Sequence, residues 1–266
     1  MVRQLTKQGL ITELRAIAER GWVPSARGKN DGAVGNTLED LLGLTENNLP
    51  LPNAAEWELK AQRDSTSSLI TLCHVEPSPR AYRFVPQVLL PKFGWAHTQA
   101  GLKYPKSERS FRMTINAASP SDRGFVVEIQ RDERRLAIAW DAALVDTRHS
   151  AWAVEVDEKT SGEGLSPQPY WGFDDLEHKM GSKLHNCFFV NARARKVDGK
   201  EQFWFHEAWM LRRFSFGLYL DALNEGRAYI DFDARTGHNH GTKFRIRRSE
   251  LVNLYEEKTL LFSLDS

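Results

Sequence analysis

Apolar residues early in the chain fall at Leu10, Ile11, Leu14, Ile17 and Ala18, which is the spacing of one helical face. This predicts an amphipathic helix over residues 5–20 closed by Gly21. Residues 22–32, with Pro24, Gly28, Lys29, Asn30, Asp31 and Gly32, read as a polar loop. Leu38, Leu41 and Leu42 predict a short helix over residues 37–44, with its cap near Gly35, Asn36 or Thr37. Strands are expected at 57–61 and 68–73, joined as a hairpin through the polar turn 62–67. Pro77, Pro79, Pro86, Pro91 and Pro105 interrupt the next stretch, so residues 77–104 read as irregular, with exposed aromatics.

Short apolar blocks at 111–116, 124–130, 135–141 and 152–156, separated by polar turns, predict a largely antiparallel sheet. A helix over 174–184 and a strand over 187–195 follow, with a turn at Asp198-Gly199. Residues 205–210 and 216–224 read as helices, the second capped by Gly226. A strand over 228–232, a loop over 233–241, a basic strand over 242–248 and a final helix or strand over 251–264 complete the chain. No internal repeat or low-complexity stretch interrupts it.

Composition narrows the class without choosing a function. The 266 residues, 41% hydrophobic and 27% charged, suffice for one large domain or two joined lobes. No apolar run approaches the roughly 18 residues of a membrane span, and the first residues lack a signal-peptide core, so a cytoplasmic protein with no membrane partner is expected. Cys73 and Cys187, the only cysteines, are far apart and read as buried small hydrophobes rather than a disulfide or zinc framework. The net charge of +1 is nearly balanced, but its distribution along the chain is uneven.

Candidate chemistry begins at Glu58-Leu59-Lys60. In a strand, residues two apart share a face, so Glu58 and Lys60 stand side by side while Leu59 turns inward. A carboxylate beside an ammonium supplies two parts of metal-assisted phosphodiester hydrolysis: a hard-cation ligand, and a positive group to orient or help deprotonate water. On its own, a Glu-x-Lys pair is most often a solvated charged face.

The surrounding block raises that reading. GNTLEDLLG over 35–43, ENN over 46–48, and a proline followed at fixed spacing by ELK at 58–60 resemble the MvaI/BcnI group of restriction endonucleases and, more loosely, the MutH mismatch-repair nickase. The resemblance implies a helix glutamate, Glu39, supporting an active site completed by Glu58 and Lys60, with Mg²⁺ held by Glu58 and the residue after Pro52. That residue is Asn53, where the family pattern has aspartate. Asparagine keeps one carbonyl oxygen and loses the charge that binds a metal strongly. Two readings follow. Either Glu39, Glu58 or Glu56 compensates in a native Asn53 site, or a replaced aspartate leaves a chain that holds DNA without cutting it; the second is preferred.

A second block, YIDFDARTGHNHGTKFRIRR over 229–248, crowds Arg235, His238, His240, Lys243, Arg245, Arg247 and Arg248 into a short span. Alternation in Phe244-Arg245-Ile246-Arg247 sends Phe244 and Ile246 to the core and both arginines to one face. Arginine donates two bonds to guanine O6 and N7 in the major groove, and histidine can reach a base edge or a phosphate. The contiguous letters His238-Asn239-His240 do not define an HNH nuclease, two histidines make a poor zinc site, and Asp233 is expected to brace Arg235. The block is similar to the recognition segment of the same family, which implies base contacts by His238, His240 and Arg245, and also by Arg235 and Asp231.

The resemblance covers most of the chain. It implies an α+β (mixed α/β) fold of the MutH-like PD-(D/E)XK type, with mixed β-sheets flanked by helices and two lobes clasping double-stranded DNA. The expected lobes are a catalytic one over residues 1–105 and a recognition one over 106–266, with interleaving allowed. The implied activity is a type II restriction endonuclease cutting a short G/C-rich site as a monomer that nicks the strands in turn, alongside a cognate DNA methyltransferase. A MutH-like repair nickase and a cleavage-deficient DNA-binding protein are the alternatives.

Overall fold

Two compact units divide the chain, and it passes between them more than once. The first comprises Met1–Ile70, Lys179–Leu218 and Arg247–Ser266, and the second comprises Thr71–His178 and Tyr219–Ile246. The computed structural model describes residues 6–26, 32–44 and 57–265. Asn53, Glu56, the ENN motif and Gly28 to Asp31 lie outside the described residues.

In the first unit, the opening helix is Lys7–Glu19. Thr6 caps it by accepting the Gly9 N–H at 3.1 Å, and Gly21 follows at a left-handed φ of +71°. The second helix is Ala33–Leu42, ended by Gly43 in the left-handed region. It starts earlier than its leucines suggest, because Ala33 and Val34 are buried with Leu38 and Leu42. Thr37 is therefore an interior residue and not a cap: its hydroxyl bonds the Ala33 carbonyl at 2.7 Å and accepts the Ala26 N–H at 3.1 Å.

Both helices pack on a sheet ordered Val23–Pro24, Lys200–Phe214, Asn186–Val197, Glu58–Arg63, with Tyr255–Ser263 also paired to Lys200–Phe214. Leu10, Leu14, Ile17, Leu38 and Leu42 meet Leu59, Phe188, Val190, Phe203 and Phe205 in one hydrophobic core. The opposite face of the sheet is left to Glu58, Lys60 and their neighbours.

Three expectations change here. Glu58–Arg63 forms no hairpin with Ile70–His74, which belongs to another sheet; it pairs in parallel with Asn186–Val197, setting Glu58 opposite Cys187 and Lys60 opposite Phe189. Residues 205–210 are the middle of the strand Lys200–Phe214, flanked on both sides by partners, and their run Phe205, His206, Glu207, Ala208, Trp209, Met210 does not distinguish strand from helix. The ambiguous C-terminal segment resolves into a short 3₁₀ stretch, Arg248–Leu254, and the strand Tyr255–Ser263.

In the second unit, one sheet runs Ile70–His74, Lys243–Ile246, Ala228–Arg235, Arg109–Ile115, Trp95–Ala96, with His238–Asn239 added to Ala228–Arg235. A smaller sheet holds Arg123–Gln130, Arg135–Val145 and Tyr170–Gly172. Edge-to-face contacts join Phe111 to Phe125 and to Phe232 at 5.6 and 5.5 Å, and Trp171 to Phe244 at 5.3 Å. Residues 152–156 are helical, inside Ser150–Thr160: Trp152, Val156 and Thr160 are buried at four-residue intervals, while Val154 is exposed. The proline-rich stretch holds only short turns of helix, Arg80–Tyr82, Val85–Leu89 and Leu90–Phe93, as its prolines require.

Candidate functional site

Glu58 and Lys60 occupy the same face of a strand whose other face is core, as the alternation predicts. The Glu58 carboxylate is 1% exposed, and the Lys60 ammonium sits 2.7 Å from its Oε1. A second ammonium reaches the same oxygen: Lys183, from the helix Phe173–Leu184, lies 3.6 Å away. Neither carboxylate oxygen accepts a well-aligned hydrogen bond from the described residues. Buried lone pairs without donors are costly, and a hard, oxygen-seeking divalent cation is the group that satisfies them. Among the described residues no three His, Cys, Asp or Glu side chains converge as a ready-made metal cluster. Glu58 thus fits one ligand of such a cation.

Behind Glu58 lie Cys187 and Tyr255. Burial pushes the Cys187 thiol up to about 12, and the Glu58 carboxylate adds to the effect. Burial likewise holds the Tyr255 hydroxyl well above its ordinary range, with Cys187 and Glu58 contributing. Both keep their protons at neutral pH, so neither serves as a nucleophile. Both cysteines are free and buried.

Further along the same strand face, Asp64 meets His206 Nε2 at 2.7 Å and Arg248 at 3.5 Å, and Arg248 donates to Asn191 Oδ1 at 2.7 Å. A β-bulge between Trp204 and Glu207 sets the local geometry around His206. Glu39 is half-buried on the helix Ala33–Leu42, which packs against the Glu58 strand.

The basic block of the second unit forms a polar sheet face. Phe244 and Ile246 are fully buried, as alternation requires, and Arg245 points away from them to pair with Asp231 at 3.1 Å. Thr114 donates to the other Asp231 oxygen at 2.8 Å, holding the carboxylate that holds the arginine. Asp233 does not brace Arg235. It pairs with Arg112 at 2.6 Å and Lys243 at 3.7 Å, because register places Arg112 opposite Asp233 and Lys243 opposite Asp231.

Arg235 instead pairs with Glu108 at 3.1 Å and lies over the Tyr104 ring. The expected loop over 233–241 is a tight hairpin in which the strand continues to Arg235 and His238–Asn239 folds back on it. His238 and His240 are exposed at its end, with ring centroids 4.2 Å apart. Arg247 lies beyond the strand, exposed, at the start of the 3₁₀ stretch. A cavity of about 640 Å³ adjoins the hairpin, lined by Glu76, Arg80, Arg83, Phe84, Arg235 and His238 among others.

Lys183 and His206 are the site residues that sequence reasoning misses. Asp64 was within reach of the strand period from Glu58, but nothing local marks a helix lysine or a bulged histidine as its neighbour.

The arrangement matches known folds. Over 95% of this chain and 96% of the other, it superposes on a solved structure of the restriction endonuclease MvaI in complex with cognate DNA substrate, with a TM-score of 0.75 at 19% identity. A structure of MvaI in the absence of DNA matches with a TM-score of 0.53 at 16% identity, covering 97% of this chain and 99% of that one. The fold is therefore a mixed α+β one shared with the restriction endonuclease MvaI. The family model of MvaI/BcnI restriction endonucleases matches residues 11–255, and the chain belongs to that family. A comparison with curated proteins finds no match. No helix among the described residues is long and apolar enough to cross a membrane.

Proposed function

We propose that this protein is a type II restriction endonuclease that binds a short, G/C-rich duplex site and hydrolyses its phosphodiester bonds with Mg²⁺. It acts as a monomer that nicks the strands in turn, beside a cognate DNA methyltransferase. The observation that carries the reading is the buried Glu58 carboxylate, with two ammonium groups beside it and no well-aligned hydrogen bond from the described residues, on the polar face of the first unit's sheet. Glu58 and the Asn53 segment would hold the cation, and Glu39 would support them from the neighbouring helix. When bound, the cation neutralises charge at the phosphate and lowers the pKa of a coordinated water. Lys60 Nζ would orient the attacking water and stabilise the developing negative charge, with Lys183 adding to the same field.

The second unit supplies recognition. Asp231, Arg235, His238, His240, Lys243 and Arg245 lie on one sheet and its connected turns, Arg247 follows at the start of the next segment of the first unit, and the Asp231–Arg245 pair holds a guanidinium in a fixed pose. Arg245→Ala is expected to weaken specific binding by about 1–3 kcal/mol and to relax selection at one G·C pair. Gel-shift titration on cognate and random duplexes reads both effects; an equal loss on the two makes Arg245 a phosphate contact.

Asn53 favours a companion reading in which this chain holds DNA better than it cuts it. Digesting a mixed-sequence plasmid with Mg²⁺ tests the proposal. Discrete fragments mean restriction, methylation-dependent nicks mean a repair nickase, and intact DNA with a gel shift means binding alone.

A further inference from the structure

The polar sheet face that carries Glu58 and Lys60 continues past the end of their strand. Parallel pairing sets Lys60 opposite Phe189 and Gln62 opposite Asn191, and the last paired residue is Ala192. Beyond it the hairpin of Asn186–Val197 and Lys200–Phe214 continues with Val23–Pro24 along its other edge, turned by Asp198 and Gly199, both at positive φ. Strand parity keeps Arg193 and Arg195 on the face of Phe189 and Asn191, hence on the face of Lys60.

Both guanidiniums rest on tryptophans. Arg195 lies 4.3 Å from the Trp22 ring and Arg193 lies 5.2 Å from the Trp204 ring, and the two indoles are 6.1 Å apart. The register explains the cluster: Arg193 pairs with Trp204, and Val23 pairs with Phe203, which brings Trp22 alongside. Arg195 donates Nε to Gln202 at 2.9 Å and is exposed, with no carboxylate partner among the described residues. Arg193 lies 4.0 Å from Asp265, whose side chain is 98% exposed.

An arginine fixed on an aromatic face by one side of its plane still presents N–H groups at its edge. That geometry suits bidentate contact with phosphate oxygens. We propose that this Arg193–Arg195 arm is a backbone clamp for the same duplex that enters the Glu58 site. It grips phosphates to one side of the scissile bond and reads no bases. The proposal rests on the nuclease reading above. At about 3.3 Å per residue, Arg193 and Arg195 lie about 13 and 20 Å along the strand from the Lys60 level. With one phosphate per about 3.4 Å of axis on each DNA strand, that is about four to six nucleotides away.

Salt dependence is the test. Binding of a cognate and a random duplex to the full chain, to Arg195→Ala and to Arg193→Ala is measured without Mg²⁺ across a range of salt, with thermal melting to confirm folding. Each alanine variant is expected to make the slope of log K against log salt shallower by about 0.9, equally on both duplexes. Arg195→Lys, which keeps the charge, is expected to keep the slope. Unchanged slopes in the alanine variants overturn the clamp, as does a loss confined to the cognate duplex, which would make these arginines base readers. If the unaltered chain itself retains neither duplex at low salt, the nuclease reading fails, and the clamp fails with it.

Discussion

Lys60→Ala is expected to reduce Mg²⁺-dependent cleavage by about 100- to 1000-fold, the usual loss when one preorganised donor to a developing anion is removed. Cognate binding stays measurable. The rate is read by single-turnover cutting of a labelled duplex, in whichever of the chain and its Asn53→Asp variant cuts faster. Lys183→Ala is expected to lose less, because its ammonium stands 3.6 Å from Glu58 Oε1 against 2.7 Å for Lys60. A structural explanation makes a different forecast. Removing one partner of a buried ion pair strands the other charge, at a cost of about 3–5 kcal/mol, and Glu58 is 1% exposed. The double variant Glu58→Gln with Lys60→Met removes both charges and relieves that penalty. The double variant also lacks the Glu58 ligand and so reports on stability alone; if Lys60→Ala itself stays folded by thermal melting and binds cognate DNA yet cuts slowly, Lys60 acts in the chemistry. If Lys60→Ala merely unfolds the chain and the folded fraction still cuts at the full rate, Lys60 is structural.

The parts of the site set by local period were legible in the sequence. Glu58 and Lys60 share a face, Leu59 enters the core, and Phe244 and Ile246 are buried beneath Arg245, because a strand alternates whatever it is paired with. What depends on pairing was not. The parallel partner of Glu58–Arg63 lies more than a hundred residues downstream, and only that pairing sets Cys187 opposite Glu58. Lys183 reaches Glu58 from a helix with no local link to it.

Misread elements share one cause: a pattern compatible with two periods. Trp152, Val154 and Val156 alternate like a strand, yet Trp152, Val156 and Thr160 bury one helix face. Residues 205–210 follow neither period cleanly, because a β-bulge between Trp204 and Glu207 interrupts the alternation of Lys200–Phe214. The compact units each gather separate segments of the chain, the first including Lys179–Leu218 and Arg247–Ser266. Contacts between distant segments leave no local mark. The ion pairs of Asp233 make the same point: Arg112 from a neighbouring strand takes the role that proximity in sequence assigned to Arg235.

Asn53→Asp is expected to raise Mg²⁺-dependent cleavage by about 100-fold or more. The argument is one of charge. Among the described residues Glu58 is the carboxylate of this site, and it already answers to two ammonium groups. A dipositive ion entering there meets the repulsion of Lys60 and Lys183 and needs a second full negative charge to offset it. The amide of Asn53 offers an oxygen without that charge. Supplying it strengthens cation binding, and each 1.4 kcal/mol gained at the transition state is a factor of ten in rate. Cognate binding without metal is expected to change little or to weaken slightly, since an added negative charge opposes the charge of the phosphates. The pairing of faster cutting with unimproved metal-free binding identifies a restored cation ligand. If cleavage does not rise across a wide Mg²⁺ titration, Asn53 is not what limits the chemistry, and Glu39 or Glu56 becomes the next ligand to replace by glutamine.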